Sequence, residues 1–227
     1  MQSWGFASRF TRRTTALHPT KSGVIGLLAA ALGIDKHSPD EAQQLRPLAA
    51  LDCTTITLPK RRGTEPLPML RLSDYHTIGG GYDKKWDAMK MPRSADGKTL
   101  DNAVLSERHY LLDARFGVLL EGDRALLEQI AARLRDPQWG VWLGRKCCVP
   151  ASPLLVGVAE DRAAAFRMLL ARTGQPDDQT IESFDHVIEG KRAEGLDAEW
   201  LHDTPVAFGG KIGERHAPRR IRHVRHK

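Results

Sequence analysis

"PTKSGVIGLLAAALG", residues 19–33, decides how the rest of the chain is read. Its Lys21-Ser22 pair runs straight into an apolar helix, as a phosphate-binding P-loop does. A P-loop is Gly-x-x-x-x-Gly-Lys-[Ser/Thr], because its glycines let backbone N–H groups wrap a pyrophosphate. Here Thr15 and Thr20 stand at the glycine positions, which argues against a nucleoside triphosphate site. What survives is a helix N-terminus with unpaired N–H groups, a hydroxyl and an ammonium, which suits any phosphate. Thr20 or Ser22 can cap this helix and Gly33 can supply its left-handed end. Nearly every face is apolar or small, so the helix is buried, with Gly26 and Ala30 allowing close contact to a sheet.

Working outward, "LDCTTITL" (51–58) and residues 66–75 read as two antiparallel strands around an exposed basic tip of Lys60, Arg61 and Arg62. Residues 78–103 hold Gly79, Gly80 and Gly81, many charges and no sustained periodicity. They form a long insertion, expected to be mobile, and insertions of this kind are functional or disordered. "HYLLDARFGVLLEGD" then reads as one strand from His109 to Leu120. Asp123 caps a helix whose Leu126, Leu127, Ile130 and Leu134 share a face, and "WGVWLGRK" resumes as a strand from Trp139. With one more strand before the first helix the order becomes β-α-β-β-α-β, an α+β, ferredoxin-like (RRM-like) domain. That first strand is not visible in the chain. Beyond Gly157 the signals are a short helix at 162–172 and a basic strand-like stretch at 206–227. The expected division is a domain over residues 1–157 and a C-terminal extension over 158–227 packing on it.

The 227 residues carry 34 Lys+Arg against 28 Asp+Glu, and the distribution matters more than the total. No acidic residue precedes Asp35, whereas Arg9, Arg12, Arg13 and Lys21 all fall in that stretch. The last seventeen residues hold seven Lys/Arg opposed only by Glu214. Two positive ends favour a polyanion partner, against the plainer reading of a solvated basic surface. Cys53, Cys147 and Cys148 have no zinc-ligand spacing and read as reduced, buried thiols of a cytosolic protein. The longest apolar run, residues 24–32, is too short to cross a bilayer. No cofactor and no metal are expected.

Five blocks, "MQSWG", "PTKSGVIGLLAAALG", "LSDYHT", "LSERHYLLDA" and "LGRKCCVPASPL", together and in this order resemble the CasD family, subunits of the type I-E CRISPR surveillance complex Cascade. The resemblance covers residues 1–157, with weaker similarity in the basic C-terminal segment. It implies a RAMP-superfamily, ferredoxin-like RNA-binding domain that caps the 5′ handle of CRISPR RNA (crRNA) and contacts the backbone and large subunits. Residues 78–103 would then be a thumb. Family members carry a strand before Met-Gln-Ser-Trp-Gly, and its absence is the one departure.

The candidate RNA-binding residues follow from both lines. Arg9, Arg12 and Arg13 lie in a Ser/Thr-rich stretch and offer forked donors that match phosphate oxygens. Lys21 and Ser22 extend that anionic track onto the helix N-terminus. Trp4 is either core or a stacking platform for a splayed base, and Gln2 could read a base edge. Tyr75 and His76 stand at the root of the insertion, where acid-base chemistry on a ribose 2′-OH is the competing reading. Arg108 beside Glu107 is an ion pair or an RNA contact, and Arg145 with Lys146 follows Gly144 at a strand end. The expectation is a non-catalytic RNA-binding scaffold. Its rivals are a metal-independent ribonuclease acting on CRISPR repeat RNA and a protein adaptor whose basic ends meet target DNA.

Overall fold

The computed structural model describes residues 1–6, 8, 11–63, 65–79, 103–209 and 213–226. Arg9 and most of the 78–103 insertion therefore lie outside the described residues. In chain order the N-terminal part holds β1 (Trp4–Gly5), β2 (Arg12–Arg13), β3 (Thr15–Ala16), α1 (Lys21–Leu32), α2 (Glu41–Ala49) and β4 (Asp52–Thr57). A short ribbon of β5 (Arg61–Arg62) and β6 (Glu65–Pro66) leads to β7 (Leu70–Ile78) and β8 (Val104–Leu112), followed by β9 (Phe116–Glu121), α3 (Arg124–Arg135) and α4 (Arg162–Thr173). The chain ends with β10 (His186–Glu189), β11 (Ala198–Ala207) and β12 (Arg215–Val224).

The architecture is mixed α+β around a five-stranded antiparallel sheet ordered β11-β12-β10-β4-β9. Strand alternation sends Val118 and Leu120 to one face, where they meet Val24, Leu28, Leu45, Leu48 and Ile130 from α1, α2 and α3. Ile56 and Leu119 point to the other face and pack under Phe166, Leu169 and Leu170 of α4. Each such side chain, fully buried, contributes about 1.5–3 kcal/mol. Gly117 lets α4 sit close, since a Cβ there would stand 2.2 Å from Leu169 Cδ2. A separate three-stranded sheet, β2-β8-β7, projects beside this core.

α1 forms as its sequence dictates. Thr20 Oγ1 accepts from the Gly23 amide, and Gly33 at φ 78° returns its N–H to the last turn. Ile25 is fully buried and Gly26 faces Phe208, which a Cβ would approach to 3.5 Å. Asp123 and Asp161 cap α3 and α4 in the same manner.

Three expectations about strands are corrected. β4 does not pair with the strand that follows it; it lies between β9 and β10, while β7 pairs with β8 in the other sheet. The stretch from His109 to Leu120 is two strands in two sheets, broken where Asp113 takes φ 54°. The left-handed conformation interrupts the extended chain there, and only the halves on either side stay extended. The segment after Trp139 forms turns instead of a strand, and Cys147 in it is exposed, whereas Cys53 and Cys148 are buried. The C-terminal strands bond directly into the main sheet, β12 joining β10 and β11.

Among the described residues no strand pairs with the outer edge of β9. Leu58 N–H donates to Arg115 O, so the antiparallel alternation turns the N–H and C=O groups of Phe116, Val118 and Leu120 outward. They border a groove of about 1070 Å³ walled by α1, α3 and the extended residues 149–160. Gln2, at the start of the chain, bridges to Leu111 instead.

Candidate nucleic-acid interface

The three-stranded sheet sets several arginines side by side. β2 runs parallel to β8, placing Arg12 opposite Glu107 and Arg13 opposite Arg108. β7 is antiparallel to β8, placing Asp74 opposite Arg108 and His76 opposite Ser106. One row across the sheet is therefore Arg13, Arg108, Asp74, and the neighbouring row on the opposite face is Arg12, Glu107, Tyr75. Two guanidinium groups stand side by side in the first row. Asp74 is engaged by His76, and Arg108 Nε donates to Ser106 Oγ at 3.2 Å. Arg12 pairs loosely with Glu107, at 3.9 Å between exposed side chains. His109 and Ser73 hydrogen-bond the Glu107 carboxylate and hold it below the usual carboxylate range.

Arg145 joins this face from the 144–148 turn. Its Nη2 donates to Arg13 O at 2.9 Å, and its guanidinium lies over the Tyr110 ring at 4.7 Å. Tyr110 follows Arg108 by two residues on β8, so both point the same way. Burial raises the Tyr110 phenol, so it stays a neutral platform for the arginine. Lys146 sits over Trp142 at 5.8 Å. Arg13, Arg108 and Arg145 thus form a forked-donor surface that can hold phosphate oxygens from several directions. Tyr110 had a signal in the sequence, the two-residue alternation from Arg108.

Three candidates turn inward. Trp4 is 3 % exposed and packs on α1, where a Cβ at Gly23 would stand 2.8 Å from its ring. Its Nε1 donates to Gln2 Oε1, and Gln2 Nε2 donates to Ala114 O, so the pair is an internal brace and neither offers a base contact. Lys21 is 5 % exposed, with Nζ donating to Glu189 Oε1 at 2.7 Å and to Leu51 O at 2.8 Å. The α1 N-terminus already holds an anion of the protein's own, since the Lys21 N–H donates to Asp203 Oδ2 at 2.8 Å. Ser22 beside it hydrogen-bonds Thr20 Oγ1. The expected phosphate track therefore ends before α1.

Arg219 completes this buried network. Nη1 donates to Glu189 Oε2, Nε and Nη2 donate to Asp203, and Glu189 also accepts from the Cys53 amide. Burial works against the charged guanidinium, but the bonds and charges of Asp203 and Glu189 outweigh it and raise its proton affinity. The Cys53 thiol, desolvated in the same place, is pushed up to about 12 and stays protonated.

At its border His18 packs edge-on to His223, with Nδ1 donating to Pro19 O. Burial holds His18 below its ordinary 6.5, ahead of the backbone hydrogen bond that works the other way. The unfolded chain then takes up a proton at higher pH than the folded one. Stability is expected to fall as pH drops through about 6.5, by no more than about 1.4 kcal/mol per pH unit from this group. Thermal melts at pH 7.5 and 5.5 check this: the wild type should lose more than His18→Gln does, and equal losses would contradict it.

Comparisons with known proteins give the family and its fold. The family model described as CRISPR-associated protein (Cas_Cas5) matches residues 1–220. "CRISPR system Cascade subunit CasD" of Escherichia coli (strain K12) is 28 % identical over 165 residues, covering 70 % of this chain and 67 % of that protein. A chain of a structure titled "CRISPR RNA-guided surveillance complex" superposes with TM-score 0.68 at 29 % identity, covering 98 % of this chain and 85 % of that one. A second, "Crystal structure of Cas protein", gives TM-score 0.60 at 29 % identity, with 99 % and 90 % covered. With nearly its whole length matched by one family model, the chain belongs to the Cas5 family of CRISPR-associated proteins.

Proposed function

We propose that this chain is a non-catalytic subunit of a Cascade-type CRISPR surveillance complex that binds the 5′ handle of crRNA on the Arg13–Arg108–Arg145 face. The row of guanidinium groups on β2 and β8, extended by Arg145, carries the proposal. Similarity to a Cascade subunit and to a chain of a surveillance complex supports the partners, crRNA and the other subunits. In the ferredoxin-like, RAMP-type reading, α1 and α3 on one face of β4 and β9 are the two helices of the motif. The groove along β9 is where its first strand belongs.

Handle affinity should fall with salt at a log-log slope of about −0.7 per phosphate neutralised. Arg13→Ala and Arg108→Ala should each flatten the slope by about that amount and weaken binding about tenfold, on the order of 1.5 kcal/mol. A double variant with unchanged slope would remove this face from the interface. The ribonuclease reading has one observation in its favour, the pairing of His76 with Asp74, which lies in Arg108's row. Incubating the protein with labelled repeat RNA decides between them. We expect no product, and metal-free cleavage that disappears in His76→Ala would install the enzyme. Competition by duplex DNA tests the adaptor reading.

A further inference from the structure

We propose that the β11–β12 ribbon carries a second nucleic-acid site, where a base of a single strand stacks on Trp200 and the adjoining phosphates lie against Arg220 and Lys191. Trp200 is 68 % exposed, the most exposed tryptophan among the described residues. An indole is ordinarily covered, and one held on a strand in open solvent is a ready stacking surface. Its surroundings sort by charge. The register puts Arg220 opposite Trp200, Arg222 opposite Ala198 and Pro218 opposite His202. Strand alternation therefore gives the Trp200 face two arginines and a histidine. The carboxylates of the ribbon turn the other way, where Glu199 pairs with His223 at 3.0 Å and Asp203 with Arg219.

Beside Trp200 lies a cavity of about 560 Å³, bordered by Arg220, Lys191 and the 49–52 stretch. Its volume accommodates a nucleotide. Three carboxylates also line it, Asp52, Glu189 and Glu194. Arg192 holds Asp52 at 2.8 Å, and Lys21 with Arg219 holds Glu189, each at 2.7 Å. That leaves Glu194 against two cations, Lys191 and Arg220, neither of which has an ion pair among the described residues. Arg220 Nη2 and Arg222 Nη1 rest on the carbonyls of Gly195 and Glu194, which fixes the guanidinium groups without neutralising them. Thr204 Oγ1, also in the wall, is buried and has no hydrogen-bond partner. The face thus combines a stacking ring with an excess of cations over carboxylates, the elements of sequence-tolerant single-strand binding.

The test uses the full chain in an Arg13→Ala/Arg108→Ala background, so that the proposed handle face is silenced, and a fluorescein-labelled mixed-sequence RNA decamer with its DNA counterpart. In that background Trp200→Ala and Arg220→Glu should each weaken binding at least about tenfold. Trp200→Phe, which keeps a ring, should stay within about threefold, and all should melt with the background protein. Duplex of the same sequence should compete poorly. The site is refuted if the background protein does not bind, if Trp200→Ala binds as the background does, if Phe is no better than Ala, or if duplex competes equally. Failure of the handle reading shows separately, as an affinity the background substitutions do not change.

Discussion

Glu189→Ala is expected to be among the most damaging single substitutions in the chain, lowering stability by about 3–5 kcal/mol. The carboxylate accepts from the Lys21 ammonium, the Arg219 guanidinium and the Cys53 amide, all in the interior. Removing it strands an ammonium next to a guanidinium, both side chains less than a tenth exposed. Asp203 still holds Arg219, but Lys21 Nζ keeps only the Leu51 carbonyl. Lys21→Met should cost less, because Glu189 then retains Arg219 and the Met chain fills the same space. Urea denaturation of both variants reads the difference. A Glu189→Ala protein within 1 kcal/mol of wild type, taken as roughly the worth of one ordinary hydrogen bond, would show that water reaches the network after all.

Gly144→Ala should approach the same magnitude by a different route. Gly144 sits at φ 89°, and a Cβ there would lie 1.7 Å from the Ser3 carbonyl oxygen, which is backbone and has no rotamer to yield. Ser3 N–H is itself tied to Leu143 O at 3.0 Å, so the two segments cannot separate without losing a buried bond. Left-handed strain and overpacking each contribute about 1–3 kcal/mol. Gly63 is the control: its φ of 62° is similarly left-handed, but nothing lies within 4 Å of its Cβ position, so Gly63→Ala should show the strain alone. Because Arg145 follows Gly144 and bonds Arg13 O, displacement of this turn should also lower handle affinity. Equal melting temperatures for the two alanine variants would contradict the account.

Local chemistry made α1, α3 and α4 readable, whereas α2, whose Asp40 makes no side-chain cap bond and which carries Pro47, gave no such signal. Thr20, Asp123 and Asp161 stand at the N-termini of those three and the apolar spacing that follows sets their lengths. Arg12 and Arg13 were readable as polyanion candidates because no acidic residue precedes Asp35. Strand pairing was not. Nothing in "LDCTTITL" distinguishes the partners it has, β9 and β10, from the nearer strand it lacks, because β-branched strands pair with any complementary edge and the choice is made by the whole sheet. Lys21 failed as a phosphate ligand for an allied reason. Its carboxylate is 168 positions away, so the segment around it looks like an open anion site until the last strands are in place. The family was readable from five short blocks, since their order and spacing record a whole structure that no single block determines.

That long reach has a consequence for synthesis. A ribosome makes α1 early, but the carboxylates that neutralise its start, Glu189 and Asp203, emerge after most of the chain has left the exit tunnel. Until then Lys21 must stay hydrated, so the N-terminal half cannot close its interior around α1 as it appears. β4 likewise waits for β10 on one side while β9 fills the other. Folding of this subunit is therefore a nearly post-translational event governed by non-local pairing, and slow on that account. Nascent chains stalled before Glu189 should remain protease-sensitive throughout α1.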